Sequence, residues 1–428
     1  MEHLKRAEPR SAADVDDVRR VVSEILLDVE RDGAAAVRRW SERFDGWSPP
    51  TFRVSPEDIA RARLAVDDEL ASHIDFACAQ VRGFAQAQRG MFRDLEVETL
   101  PGVTLGHRNI PVNNVGSYVP GGRYPLISSA LMTIAVPKVA GVRRVVAAAP
   151  PRRGLGGIDH GQIYAMSAAG ADEILCIGGV QALAALAYGI DDAPPVDPVD
   201  MVVGAGNAYV AEAKRQLFGK VGIDLLAGPT EILVIADDSA DPELLASDIA
   251  GQLEHGPTSA GWLLTTSADV AERAQAAIEA RIAELPTREI AAEAWERYGE
   301  IAVCDSFEET VALADRLAPE HVEVHTADPD LYLEALRNYG SIFLGEDTTV
   351  PYGDKGIGTN HVLPTAGAAR YTGGLWVGSF LKALTYQRAS VEGTRATAPM
   401  IVAICEAENL PGHARSAQDR LDRLTLRS

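Results

Sequence analysis

Met201-Val202-Val203-Gly204-Ala205-Gly206-Asn207 decides the fold: a short apolar run ends in a glycine turn, and an alanine-rich helical stretch follows it. A buried strand feeding a tight turn and then a helix is the repeating unit of a parallel sheet. The same order appears upstream at 144–149 and at 173–177, the latter running into Gly178-Gly179. A second block starts at Glu231-Ile232-Leu233-Val234-Ile235 and continues through 262–265, 301–304, 321–325 and 341–344. The alternation predicts an α/β protein of two domains with parallel-rich sheets.

Outside these blocks the pattern is helical. Val15, Val18, Val22, Ile25, Leu26 and Val29 recur at three- and four-residue steps within 14–45, and 55–92 reads the same way after Ser55-Pro56. After about Leu375 the chain becomes helical again and ends in a charged tail. The expected division is a first α/β domain of 1–114 plus 236–375, a second of 115–235, and a C-terminal helical tail of 376–428 lying across a neighbour.

The chain has 428 residues, 46% hydrophobic and 24% charged, which is ordinary globular composition with room for large cores. A formal charge of -21 argues against nucleic acid or an anionic membrane as partner, because phosphate binding needs a basic surface. There is no apolar run of membrane-spanning length, and the start lacks an apolar signal core, so a cytoplasmic address is expected. Cys78, Cys176, Cys304 and Cys405 form no CxxC pair, which suggests neither a disulfide framework nor a thiolate zinc site.

The chemistry concentrates in two short runs, Ala318-Pro319-Glu320-His321 and Gly353-Asp354-Lys355-Gly356-Ile357-Gly358-Thr359-Asn360-His361. An acid and an imidazole are what a dehydrogenase needs to take protons from an alcohol and then from water. Extended backbone would aim Glu320 and His321 to opposite faces, so a shared site requires an irregularity, for which Pro319 supplies a reason. An acidic cap beside a strand-edge histidine has the same sequence.

From Asp241 to His255 the signals of a helix are complete: Asp241 as N-cap, Pro242 in the first turn, a Leu245, Ile249, Leu253 stripe, and a stop at Gly256-Pro257. Gln252 and His255 then stand three apart on one face, where an amide oxygen and an imidazole can grip one ion. A histidine at a helix C-terminus is also what the helix dipole favours. Asp354 on its glycine loop and His413 after Leu410-Pro411-Gly412 are candidates to complete such a site.

The turns at Gly178-Gly179 and Gly204-Ala205-Gly206-Asn207 expose backbone N–H groups to a phosphate, although Tyr209 occupies the place of the third glycine in GxGxxG. Glycines that merely pack helix against strand are the alternative. The loop Tyr118-Val119-Pro120-Gly121-Gly122-Arg123-Tyr124-Pro125 is a stronger candidate for ligand contact.

Taken together, these segments resemble the histidinol dehydrogenase family from about Val18 to His413. The matching stretches include Gly178-Gly179-Val180-Gln181-Ala182, Gly228-Pro229-Thr230-Glu231, Gln252-Leu253-Glu254-His255-Gly256-Pro257, Pro319-Glu320-His321 and Gly358-Thr359-Asn360-His361. The resemblance implies two incomplete Rossmann-like domains in a homodimer with an exchanged C-terminal tail. It implies a zinc-dependent enzyme that oxidises a primary alcohol through an aldehyde to a carboxylate with two NAD molecules in succession.

By position it assigns one zinc ion per subunit to Gln252, His255, Asp354 and His413, proton chemistry to His321 and Glu320, and substrate contacts to Thr230, His361 and Glu408. NAD contacts fall on Tyr118, Gln181 and Asn207. The likeness is closer still to a side branch, the sulfopropanediol 3-dehydrogenases, through Gly122-Arg123-Tyr124-Pro125, Lys220-Val221-Gly222-Ile223-Asp224 and the stretch from Arg370 to Val377. That branch implies 2,3-dihydroxypropane-1-sulfonate as substrate, giving sulfolactate, with L-histidinol as the alternative and Arg123 as a cation for the sulfonate. A zinc hydrolase is the alternative from another class, since bound zinc beside Glu320 also suits water activation.

Overall fold

The structure, a computed structural model, describes residues 1–8, 15–121 and 124–426. Asn114–Tyr118 is the centre of a five-stranded parallel sheet. Arg144–Ala149 and Glu173–Cys176 extend it on one side, Met201–Val203 and Gly222–Ile223 on the other. In the six-stranded sheet Glu231–Ala236 takes the corresponding place, flanked by Ala260–Thr265 and Gly299–Val303 on one side and by His321–His325 and Ser341–Leu344 on the other. Glu2–Lys5 closes the Gly299–Val303 edge as an antiparallel strand.

Numbered within each sheet, the parallel strands of both run 3-2-1-4-5. Each sheet is therefore half of a doubly wound dinucleotide fold, which makes the expected two incomplete Rossmann-like domains a matter of topology. In such sheets ligands bind beyond the carboxyl ends of the strands where the order reverses, here between Asn114–Tyr118 and Met201–Val203.

The sheets redraw the expected domain boundaries. The expected boundary between 235 and 236 cuts through Glu231–Ala236, whose hydrogen bonds put the whole strand at the centre of the six-stranded sheet. The N-terminal helices also change sides. Val22, Ile25 and Val29 of Val15–Asp45 pack with Val146, Ile177 and Leu183, and Ile74, Cys78 and Val81 of Asp68–Gly90 pack with Leu131 and Met166. Their apolar stripes cover the five-stranded sheet, and only Glu2–Lys5 joins the six-stranded one.

The tail also departs from expectation. Leu381–Ala389 is a strand, not helix, paired antiparallel with Val103–Pro111, which in turn pairs with Leu95–Leu100. No local pattern announces this ribbon, because its pairing spans most of the chain and Leu95–Leu100 is exposed at every position. Two helices follow, Val391–Ala407 and Pro411–Thr425, which pack on each other and leave Met400, Ile401, Ile404 and Leu410 exposed. No described helix is long and apolar enough to cross a membrane.

Candidate active site

Glu320 and His321 do share one site, and the backbone shows how. Helix Phe307–Leu317 ends at Ala318 in a left-handed conformation (φ 47°), Pro319 follows, and the strand begins only at His321. The bend brings Glu320 Oε2 to 3.5 Å from His321 Nδ1, with both side chains buried.

Each group is held by partners that determine its proton. His321 Nδ1 lies 2.9 Å from the Glu231 carbonyl oxygen, which can only accept, so Nδ1 carries the hydrogen in the neutral ring. Nε2 is left as the basic atom, and it is buried without a hydrogen-bond partner among the described residues, 3.7 Å from Asp354 Oδ1. Glu320 Oε2 accepts from the Thr230 hydroxyl at 2.6 Å and from the Glu231 N–H at 3.0 Å. With its hydrogen committed to Glu320, Thr230 Oγ1 accepts from the Gln252 amide, which fixes Nε2 on that side and frees Gln252 Oε1. Gln252 Nε2 and His321 Nδ1 are 3.4 Å apart, two donors side by side rather than a bonded pair.

Electrostatics follow from burial and from this crowding. Burial pushes the Glu320 carboxyl up to about 7, against the pull of His321, Thr230 and the Glu231 amide. Burial also opposes charge on His321, but Glu320 and Asp354 outweigh it and raise the imidazole to about 9. Asp354 is pushed up by burial and pulled down further by His321, His361 and Lys355, ending at about 2. Burial lowers His361, whose Nδ1 faces the Asp354 carbonyl at 3.0 Å and whose Nε2 faces Ser129 Oγ at 2.9 Å.

Thr230, Gln252, Glu320, His321, Asp354 and His361 are thus linked by direct contacts. Asp354 sits in a short helix, Val350–Lys355, and not on the expected glycine loop, because the glycine break comes after it at Gly356. Gln252 is buried in Pro242–Leu253 one turn before His255, which is exposed just past the helix end. Glu408 and His413 stand apart, exposed on the C-terminal helical arm, where the structure brings neither to the other site residues. Arg123 lies outside the described residues.

Tyr118, Gln181 and Asn207 meet elsewhere, at the carboxyl edge of the five-stranded sheet, around a cavity of about 690 Å³ that Trp40, Phe44 and Asp45 also line. Tyr118 is the last residue of the central strand; burial pushes its phenol up to about 12, and its oxygen accepts from the Gly179 N–H at 3.1 Å. Asn207 caps helix Ala208–Leu217 through Tyr209 N and Val210 N. Gln181 donates to Asp45 at 3.2 Å, and its Oε1 has no hydrogen-bond partner among the described residues.

Two glycines of the turn are required by packing. Gly204 has φ +121° and a Cβ there would lie 2.1 Å from the Tyr118 carbonyl oxygen, while a Cβ on Gly206 would meet Val210 at 2.6 Å. The place held by Tyr209 is partly exposed and has no such constraint.

Several residues that build these sites were not singled out in the sequence. Ser129 and Asp45 act across 232 and 136 positions, with no local signal. Lys214 did leave one, a lysine inside the Val210, Ala213, Leu217 stripe. It is buried against Asp224, and together the pair holds Gly204: Lys214 Nζ donates to its carbonyl at 2.9 Å and Asp224 Oδ2 accepts from its N–H at 2.8 Å.

Comparison with known proteins agrees with this architecture along its whole length. The family model described as histidinol dehydrogenase matches residues 8–421. A histidinol dehydrogenase homolog of Shouchella clausii is 51% identical over 406 residues, 95% of each chain. A sulfopropanediol 3-dehydrogenase of Ruegeria pomeroyi is 45% identical over 423 residues, 98% of this chain and 96% of that one. The crystal structure of histidinol dehydrogenase from Elizabethkingia anophelis superposes with a TM-score of 0.91 at 32% identity, covering 98% of this chain and 95% of that one. On a family match spanning nearly the whole chain and a common fold, this protein belongs to the histidinol dehydrogenase family of oxidoreductases.

Proposed function

We propose that this protein is a zinc- and NAD-dependent dehydrogenase that takes a small primary alcohol through the aldehyde to the carboxylate, and that its substrate is 2,3-dihydroxypropane-1-sulfonate. The observation that carries the reaction class is the state of His321: Nδ1 is committed to the Glu231 carbonyl, and Nε2 is buried, basic and without a partner beside an acid.

In the first half-reaction His321, which Glu320 and Asp354 hold at about 9 and which would be neutral once Asp354 is committed to a cation, takes the hydroxyl proton at Nε2 as hydride leaves the carbinol carbon. In the second, Glu320 takes a proton from the water that adds to the aldehyde, and the hydrate loses a second hydride. The first half releases one NADH and one proton, the second one NADH and, with the product ionised as carboxylate, two protons; Glu320, raised to about 7, is poised to pass protons both ways near neutrality. NAD, when bound, supplies the hydride acceptor; the Tyr118, Gln181 and Asn207 cavity is large enough for a nucleotide and lies where doubly wound sheets bind one.

Zinc, when bound, supplies a fixed positive charge that orients the alcohol oxygen. The residues fit such an ion in donor type: Gln252 has its amide oxygen free, Asp354 is ionised, and His255 offers an imidazole at the same helix end. They leave one position for a donor from outside this chain's own core. We assign it to His413 of a second copy, because in a single chain the arm carrying His413 and Glu408 exposes its apolar residues and reaches no other part of the site.

The substrate assignment rests on the relative named sulfopropanediol 3-dehydrogenase and on Arg123 as a cation for the sulfonate. L-Histidinol is the second reading, supported by the solved relative of that name. The test is NADH formation by zinc-loaded protein with each alcohol in parallel. Two NADH per sulfonated diol is the expected result; preference for histidinol would overturn the substrate, and hydrolytic turnover without NADH would overturn the class.

A further inference from the structure

The strand His321–His325 turns His321, Glu323 and His325 to one face, since alternate residues share a side. The facing helix Pro242–Leu253 sets Gln252 beside His321 and, one turn earlier, Asp248 beside His325. His325 lies about 13 Å along the strand from His321. The two ends of this face are therefore separate places.

At the far end, His325 Nε2 is 3.7 Å from Asp248 Oδ2 and 3.6 Å from Glu323 Oε2. The Glu323 and His325 side chains are 0% exposed and Asp248 is 16% exposed. Each carboxylate has one oxygen tied down: Glu323 Oε1 accepts from the Val350 N–H at 2.7 Å, and Asp248 Oδ1 from the Thr349 hydroxyl at 2.9 Å. The other oxygens point at the imidazole. Among the described residues Glu323 Oε2 and both ring nitrogens of His325 lack a hydrogen-bond partner.

An imidazolium bonded to these carboxylates would close to about 2.7–2.9 Å. The observed separations instead match the edges of a metal-centred tetrahedron, about 3.4 Å for ligands at about 2.1 Å. A buried carboxylate facing a partly buried one without a cation is also costly, and a dication removes that cost. Among the described residues this is the one group of three His, Cys, Asp or Glu ligands whose donor atoms lie within 4.8 Å of one another.

We propose that Asp248, Glu323 and His325 form a second metal site, separate from Gln252, His255 and Asp354, for a divalent transition ion such as zinc. The partly exposed edge of Asp248 gives the ion its entry and leaves room for water as a further ligand. The role is structural. The site ties the strand bearing His321 to the helix bearing Gln252 and, through Thr349 and Val350, to the helix bearing Asp354.

The test is metal content by mass spectrometry after chelator treatment, reloading with zinc chloride and gel filtration of the full-length protein. We expect two zinc per subunit in the native protein, one in His325→Gln, one in His255→Ala and none in the double variant. His255→Ala isolates this site whatever the fate of the proposed catalytic ion: if it holds no zinc, the proposal is overturned. It is equally overturned if His325→Gln binds as much zinc as the native protein. Asp248→Asn, at the exposed edge, serves as the second variant should His325→Gln fail to fold, and must also lose one zinc. Chelator should lower the Tm of His255→Ala but leave that of the double variant unchanged.

Discussion

Lys214→Met tests whether the glycine turn at the nucleotide cavity is held by a buried ion pair. Lys214 and Asp224 have side chains 2% and 0% exposed, and between them they engage both backbone groups of Gly204. Methionine keeps the volume but strands the Asp224 carboxylate in the core and releases the Gly204 carbonyl. Breaking one side of a buried pair costs about 3–5 kcal/mol. For a unit of this size that is a Tm loss of roughly 6–20 °C.

The kinetic signature should be selective. Because Gly204 lies against Tyr118, the variant should raise the KM for NAD more than it lowers kcat at saturating NAD. Lys214→Met with Asp224→Asn removes the stranded charge, so the double variant should regain at least half of the lost stability. A single variant that costs under about 1 kcal/mol, or a double variant whose loss is the sum of the two single losses, would refute the argument.

Three further outcomes follow from the geometry. In chelator-treated protein, His321 is raised from 6.5 to about 9, so its contribution is fully present below pH 6.5 and is lost as pH rises through about 9. Thermal melts from pH 6 to 10 should show that decline, on the order of 3 kcal/mol, and His321→Asn should flatten it. Tyr118→Phe removes the acceptor of the Gly179 N–H and should cost about 1–3 kcal/mol in urea unfolding, with weaker NAD binding by titration calorimetry. Deleting the chain beyond Ala389 should convert a dimer to a monomer in light scattering and lower bound zinc, since the exposed arm carries His413; an unchanged dimer would contradict the assembly proposed above.

The parallel strands Arg144–Ala149, Met201–Val203 and Glu231–Ala236 are apolar runs, two of them after a charged first residue, punctuated by turns, as strands covered on both faces must be. The placement of Gln252 and His255 at one helix end is legible because one helix and its stop signal set their spacing. The antiparallel ribbon was not: Leu95–Leu100 and Leu381–Ala389 are stabilised by partners far away in the chain and present no buried face of their own. The N-terminal helices were recognised, but an amphipathic stripe does not say which sheet it will cover. Asp45 and Ser129 were invisible for the same reason, since each gains its meaning from one residue brought in by the fold.

Buried polar groups in this molecule fall into two kinds, and the difference separates scaffold from site. Lys214 and Asp224 spend their capacity on each other and on Gly204 and Leu225, which is how a polar network behaves when its purpose is to hold backbone. Along His321–His325 the accounting is incomplete by a regular amount. His321 uses Nδ1 and leaves Nε2; Glu323 uses Oε1 and leaves Oε2. An unpartnered buried atom is destabilising unless something arrives to meet it. At His321 that something is the proton of a substrate. Four residues along the strand, where Glu323 Oε2 and both ring nitrogens of His325 are left over among the described residues beside the Asp248 carboxylate, the chemistry that satisfies them is a cation.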